Sequence, residues 1–244
     1  MEGSPVRPTI RGMGRPTEHE VLAAVLQIRA GSLQVLAWQR ARPPDSGRWA
    51  LPGGLLGDDE DVERSVRRQL AEKVDLREVT HVEQLGVFSR PDRVPDVRRI
   101  ATAFLGLVPS DADPAVPPDT RWQPLAALPP TAFDHVDIVA AARDRLRAKL
   151  SYTNLGFALA PREFTISALR DLYAAALGHP VSATNLQRVL TRRRVLEPTG
   201  AVAPPGPAGG RPAAVFRFTD RTLRVTDAFA VLRPPGEGTR TAVP

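Results

Sequence analysis

Apolar positions in this chain follow two spacings, and each predicts a kind of element. VLAAVLQIRA (21–30) and SLQVLAWQRA (32–41) are rich in aliphatic residues and meet at Gly31 and Ser32. That pattern predicts a β-hairpin of largely buried strands. HVEQLGVFSR (81–90) and VRRIATAFLGLV (97–108) predict two more strands around the turn PDRVPD. Between these pairs, Asp58–Val74 places Val62, Val66, Leu70 and Val74 at every fourth position behind an acidic start, the signature of an amphipathic helix. PSDADPAVPPD reads as a loop, and WQPLAALPP leads into a last helix near Asp134–Leu150. Strands interleaved with two helices within 150 residues make a compact α/β unit.

After residue 150 the pattern changes. FTISALRDLYAAALG predicts a helix capped by Thr165, with Ile166, Leu169, Leu172, Tyr173 and Leu177 on one face and Gly178 at its end. HPV turns the chain, and Ser182 caps a second helix, ATNLQRVLTRRR. VLEPTG and AAVFRF read as strands around the Pro- and Gly-rich loop AVAPPGPAGGRP. Helix, turn, helix, hairpin is the order of a winged helix-turn-helix. The expected organisation is a flexible tail at 1–18, an α/β domain at 19–150, the winged helix at 151–225 and a C-terminal tail at 226–244.

Charge sharpens this division. Residues 1–150 balance to zero, so the whole formal excess of +6 falls in 151–244. A neutral first half and a basic second half predict that only the second meets a polyanion. In the second helix Leu186, Val189 and Leu190 point to a core, leaving Thr184, Asn185, Arg188, Thr191, Arg192 and Arg193 as candidate DNA contacts. Asn and Arg side chains can read adenine and guanine edges in the major groove, while Thr and further Arg side chains hold phosphates. Arg211, in Gly210-Arg211-Pro212, would reach the adjacent minor groove or backbone from the wing. The chain has no cysteine, which excludes disulfides and thiolate zinc sites. The four histidines (His19, His81, His135, His179) show no metal-ligand spacing. With no apolar leader and no membrane-length run, a cytoplasmic protein is expected.

The first helix carries the most specific signal. From Gly54 to Leu76 the chain resembles the Nudix box: glycine, five spacers, glutamate, seven spacers, then Arg-Glu-aliphatic-spacer-Glu-Glu-spacer-Gly-aliphatic. Gly54, Glu60, Arg68, Leu70, Glu72 and Leu76 match, but Gln69 and Lys73 replace glutamates and Asp75 replaces the glycine. In that family the carboxylate cluster holds Mg²⁺, which neutralises a diphosphate and activates water. Here the three cluster positions sum to zero charge instead of minus three. An ammonium about 5 Å from Mg²⁺ is opposed by roughly 2 to 7 kcal/mol. The expectation is a pocket kept and a catalytic centre lost, with no catalytic residue, no bound metal and no required cofactor. Arg40, Arg48, Arg68, Arg90 and Arg98 could grip diphosphate oxygens, and Lys73 a phosphate. Trp49 and Phe88 could stack on a base, and Gly54 and Glu72 complete the candidate effector site.

A degenerate Nudix box followed by a winged helix resembles the Nudix-related transcriptional regulators, over nearly residues 15–220. That resemblance implies an α/β (α+β) fold, a Nudix-like mixed-sheet sandwich joined to a winged helix-turn-helix. It implies a homodimeric repressor of NAD biosynthesis or salvage genes that binds a pseudo-palindromic double-stranded DNA operator. The effector implied is ADP-ribose or a related NAD metabolite. The wing departs from the family, since APPGPAGGRP holds a single arginine. Two other classes compete. One is an active ADP-ribose pyrophosphatase, in which Asp92 or Asp96 would replace a missing ligand. The other is an interaction module with a dead pocket.

Overall fold

The computed structural model describes residues 16–77, 79–204 and 212–227. Its first half is built on β1 (Glu18–Arg29) and β2 (Ser32–Gln39), joined by a tight turn with Ala30 and Gly31 at positive φ. There follow β3 (Trp49–Ala50), β4 (Gly53–Leu55), α1 (Val62–Val74), β5 (His81–Phe88), β6 (Arg99–Leu107), β7 (Thr120–Pro124) and α2 (His135–Tyr152). The sheet runs β3-β2-β1-β6-β5, with β4 paired to β1 and β7 to β2. β1 lies parallel to β6 and antiparallel to β2, so the sheet is mixed.

β1 is buried on both sides because helices cover both faces of the sheet. Val21, Ala23 and Val25 pack with Val66, Leu70 and Val74 of α1, whereas Leu22, Ala24 and Leu26 pack with Ile138, Ala142 and Leu146 of α2. Successive strand residues point to opposite faces, so a nearly continuous aliphatic run is what such a strand requires. Three strands of the first half escaped the sequence pattern: β3 and β4 have two and three residues, and β7 runs into WQPLAALPP, where a lead into helix was expected.

The second half contains β8 (Phe164–Thr165), α3 (Ile166–Leu177), α4 (Ala183–Arg192), β9 (Leu196–Ala203) and β10 (Ala213–Phe218). The small sheet has the order β8-β10-β9, as a winged helix requires. The caps fall where expected: Thr165 accepts from the Ala168 N–H, Ser182 from the Asn185 N–H, and Gly178 ends α3 at φ 79°. β9 extends three residues further than VLEPTG suggested.

The expected boundaries need correction in two places. β1 begins at Glu18, inside the expected tail, and the Thr226 and Asp227 N–H groups donate to the Tyr152 carbonyl, so they are docked. The two halves also share one core. Leu155, Phe157, Leu159, Phe164, Leu169 and Phe218 belong to the same buried cluster as Leu22, Leu26 and Ile138. SYTNLGFALAP is therefore a packed junction. Among the described residues no helix is long and apolar enough to cross a membrane.

Candidate functional site

α1 starts at Asp61, whose side chain accepts from the Arg64 N–H 2.7 Å away. It presents Arg68 to two carboxylates. Arg68 Nε donates to Glu60 Oε2 at 2.9 Å, Nη2 donates to Glu60 Oε1, and Nη1 donates to Glu72 Oε2 at 3.0 Å. The Arg68 fork and the Gly57 N–H pull the Glu60 carboxyl down to about 2. Both acids retained from the box are thus compensated by one guanidinium. Gly57, Asp58, Asp59, Glu60, Arg64 and Arg68 line an open cavity of about 400 Å³ at this end of the helix.

Gln69 and Lys73, four residues apart on α1, differ in burial: Gln69 is buried and Lys73 is exposed, without an ion pair among the described residues. Gln69 Nε2 donates to the Leu55 carbonyl at 3.3 Å, and its amide lies against Gly54, where an added Cβ would come within 2.6 Å. A side chain at position 54 would therefore have to displace the Gln69 amide. The donor set does not fit a cation cluster. Of the three helix positions, one carries an amide, one an ammonium, and the third carboxylate receives an Arg68 hydrogen bond.

The other candidates gather around the start of α2. Arg40 lies 4.8 Å from the Phe133 ring centroid, and its Nε donates to the Pro44 carbonyl. Arg48 pairs with Asp45 at 3.4 Å, and Trp49 is half-buried in β3. Arg90 pairs with Asp137 of α2 at 3.3 Å, and Arg98 donates to the Ser89 and Arg90 carbonyls. Phe88 corrects its expected role in part, since it packs against the core shared with α2.

Sequence reasoning missed the link between these groups. Arg93, in the turn PDRVPD, is fully buried. It grips Asp134 with Nε at 3.0 Å and Nη2 at 2.8 Å, and donates Nη1 to Glu20 Oε1. Glu20 sits opposite Leu55 of β4, the residue whose carbonyl Gln69 holds. A chain of contacts thus runs from α1 through β4, Glu20 and Arg93 to the start of α2. Next to it, His135 Nδ1 accepts from the Leu51 N–H at 3.0 Å. Burial pushes the His135 pKa down to about 4. Asp92 and Asp96, the proposed substitute ligands, stay on the solvent side of this turn.

The far end of α2 holds the winged helix. Arg145 and Lys149 bind Glu83 of β5, and Arg147 Nε donates to the Ala176 carbonyl of α3 at 3.3 Å. Burial alone would raise the Glu83 pKa, but hydrogen bonds from His81 and Lys149 outweigh it and bring it to about 2.

On α4, Leu186 and Leu190 are buried while Thr184, Asn185, Arg188, Thr191 and Arg192 are exposed. Arg188 Nη2 donates to Asn185 Oδ1 at 2.7 Å, which holds the two side chains side by side. Arg193 is a correction: it turns inward and pairs with Asp227 at 2.7 Å, because the chain leaves the helix there. Arg194, exposed at φ 55°, follows it on the surface. Arg211 lies outside the described residues.

Comparison with known proteins agrees with this architecture. The NUDIX domain model matches residues 18–142, and the NrtR DNA-binding winged helix domain model matches residues 156–218. The chain is 32% identical over 205 residues to the ADPR responsive transcriptional repressor NtrR of Acinetobacter baylyi, covering 80% of this chain and 79% of that protein. This chain belongs to the NrtR family. Shewanella oneidensis NrtR, crystallised with a 27mer DNA, superposes with a TM-score of 0.69 at 30% identity, covering 82% of this chain and 92% of that one. An ADP-ribose pyrophosphatase of Methanocaldococcus jannaschii is 33% identical over 122 residues, 48% of this chain and 68% of the enzyme. In this NrtR-family chain, the pyrophosphatase likeness is thus shorter than the regulator likeness, which spans both halves.

Proposed function

We propose that this protein is a DNA-binding transcriptional repressor whose grip on its operator is set by a nucleotide held, without hydrolysis, in the Nudix-like cleft. The observation that carries this reading is the pairing of two surfaces on halves that share one core. One is an exposed Asn185–Arg188–Thr191–Arg192 face on α4, and the other a cleft whose two retained acids are occupied by Arg68. The effector is ADP-ribose or a related NAD metabolite, as for the Acinetobacter baylyi relative. The regulated genes are those of NAD biosynthesis or salvage. The protein works in the cytoplasm as a homodimer that needs no cofactor.

Two winged helices of the dimer read half-sites about one or two helical turns apart, each turn about 10 bp. The effector acts by binding the DNA-competent and DNA-incompetent forms with different affinity. α2 is the relay, since Arg93 fixes its first turn to the cleft while Arg147 touches α3. Arg40, Arg48, Trp49, Arg90 and Arg98 flank the start of that relay and supply the diphosphate and base contacts. Nuclease footprinting on the protein's own promoter region, with and without ADP-ribose, tests the reading. Protection lost at saturating ligand is expected, and unchanged protection contradicts coupling.

A second reading, active ADP-ribose hydrolysis, is favoured by the Methanocaldococcus jannaschii relative and by the retention of Glu60 and Glu72. Release of AMP in the presence of Mg²⁺ distinguishes it.

A further inference from the structure

A cavity of about 700 Å³, apart from the Nudix-like cleft, opens at the junction of the two halves. Arg77, Thr80 and Asp111 line it from the first half, and Arg162, Glu163 and Arg221 from the second. Three guanidiniums therefore face two carboxylates, and the pairing is incomplete. Arg77 reaches Asp75 at 3.6 Å, but neither Arg162 nor Arg221 makes an ion pair among the described residues.

Arg221 is not a freely solvated side chain. It is half-buried, and its guanidinium lies 6.0 Å from the ring centroid of Phe157, a core residue only 1% exposed. Burial and the neighbouring Arg162 charge push its pKa down, while Asp111 opposes them. Arg162 follows Pro161, which also lines the cavity and restricts the backbone there. Two cations thus line one cavity, Arg221 beside the Phe157 ring and Arg162 more exposed. Planar guanidinium forks placed in this way suit the oxygens of a phosphate.

We propose that this junction cleft binds a small phosphate-bearing anion, inorganic phosphate or a phosphomonoester, at Arg162 and Arg221 with Arg77 at its edge. The acids at the rim, Asp111 and Glu163, favour a compact and strongly charged group over a long polyanion. Because Arg77 and Thr80 line the cavity from the first half and Arg162 and Arg221 from the second, the bound anion bridges the two halves. It acts as a second input on the junction through which α2 couples the cleft to the DNA-binding face. Anion binding itself can be read with no nucleotide in the Nudix-like cleft, so its test stands apart from that of the effector.

The test uses the full-length protein titrated with sodium phosphate, and with sodium chloride at matched ionic strength, followed by calorimetry and melting temperature. Saturable heat and a rise in melting temperature are expected for phosphate alone. Arg162→Gln, at an exposed position that folding does not require, is expected to weaken phosphate binding about tenfold, the loss of one charge-assisted contact. The double variant Arg162→Gln/Arg221→Gln is expected to abolish the phosphate response and keep any response to ADP-ribose. An unchanged phosphate titration in Arg162→Gln, or an equal response to chloride, overturns the proposal. So does a wild-type titration without saturation accompanied by weaker duplex-DNA binding in the double variant, which would assign these arginines to the DNA backbone.

Discussion

The Gln69 amide nitrogen lies 3.3 Å from the Leu55 carbonyl, which ties the middle of α1 to the strand beside it. A glutamate at this position in its ionised form would replace a donor by a second acceptor facing that carbonyl. Gln69→Glu is therefore expected to destabilise the metal-free protein by about 1 to 3 kcal/mol at neutral pH. Urea denaturation measures it. A variant as stable as wild type would show that the amide is not structurally committed.

At the end of the same helix, Asp75 adopts φ 49° where the Nudix box has glycine. The left-handed conformation strains a side-chain-bearing residue, and a carboxylate there also faces the negative end of the helix dipole. Asp75→Gly should stabilise by roughly 0.5 to 1 kcal/mol, visible as a higher melting temperature. A lower melting temperature would mean that the Arg77 contact at 3.6 Å outweighs the backbone strain.

Much of this was readable in the amino-acid order. β1 announced itself because burial on both faces needs an unbroken aliphatic run, and α3 and α4 because Thr165 and Ser182 are helix caps followed by periodic leucines. β3 and β4 were not readable, since pairs and triplets of residues carry no periodicity. The α1 positions of the site were marked by fixed spacing along one helix, whereas Arg93, Glu20 and Asp134 come from three separate segments. Nothing in PDRVPD distinguishes the buried arginine from its solvated neighbours. Arg193 was misjudged because a run of arginines hides the point at which the helix ends.

His135 and Glu83 both contribute to the response to acid. His135 has a folded pKa near 4 against an ordinary value of 6.5, so the unfolded chain takes up the proton first as pH falls. Stability is full above about pH 6.5 and declines by roughly 3 kcal/mol on approaching pH 4. Glu83, held near 2 against an ordinary 4.5, adds a further loss between those values. In His135→Gln the first decline should vanish and the second remain. Denaturation midpoints between pH 7 and pH 3 measure both, and a flat profile from pH 7 to pH 4 in wild type would contradict the histidine assignment.

Arg188, held beside Asn185 at 2.7 Å, is the side chain expected to read a base edge. Arg188→Ala should weaken operator binding by about 1 to 3 kcal/mol and leave random-sequence binding nearly unchanged. Gel-shift titrations on both duplexes at one salt concentration distinguish this from a phosphate contact, for which both affinities would fall together.

The decisive measurement is direct. Wild-type protein is incubated with ADP-ribose and Mg²⁺, binding is followed by calorimetry, and the nucleotide is recovered and separated by chromatography. With Gln69 and Lys73 in the cluster and Arg68 holding Glu60 and Glu72, saturable binding with intact ADP-ribose is the predicted result. Steady release of AMP that disappears in Glu72→Gln would show instead that the cleft is an active hydrolase.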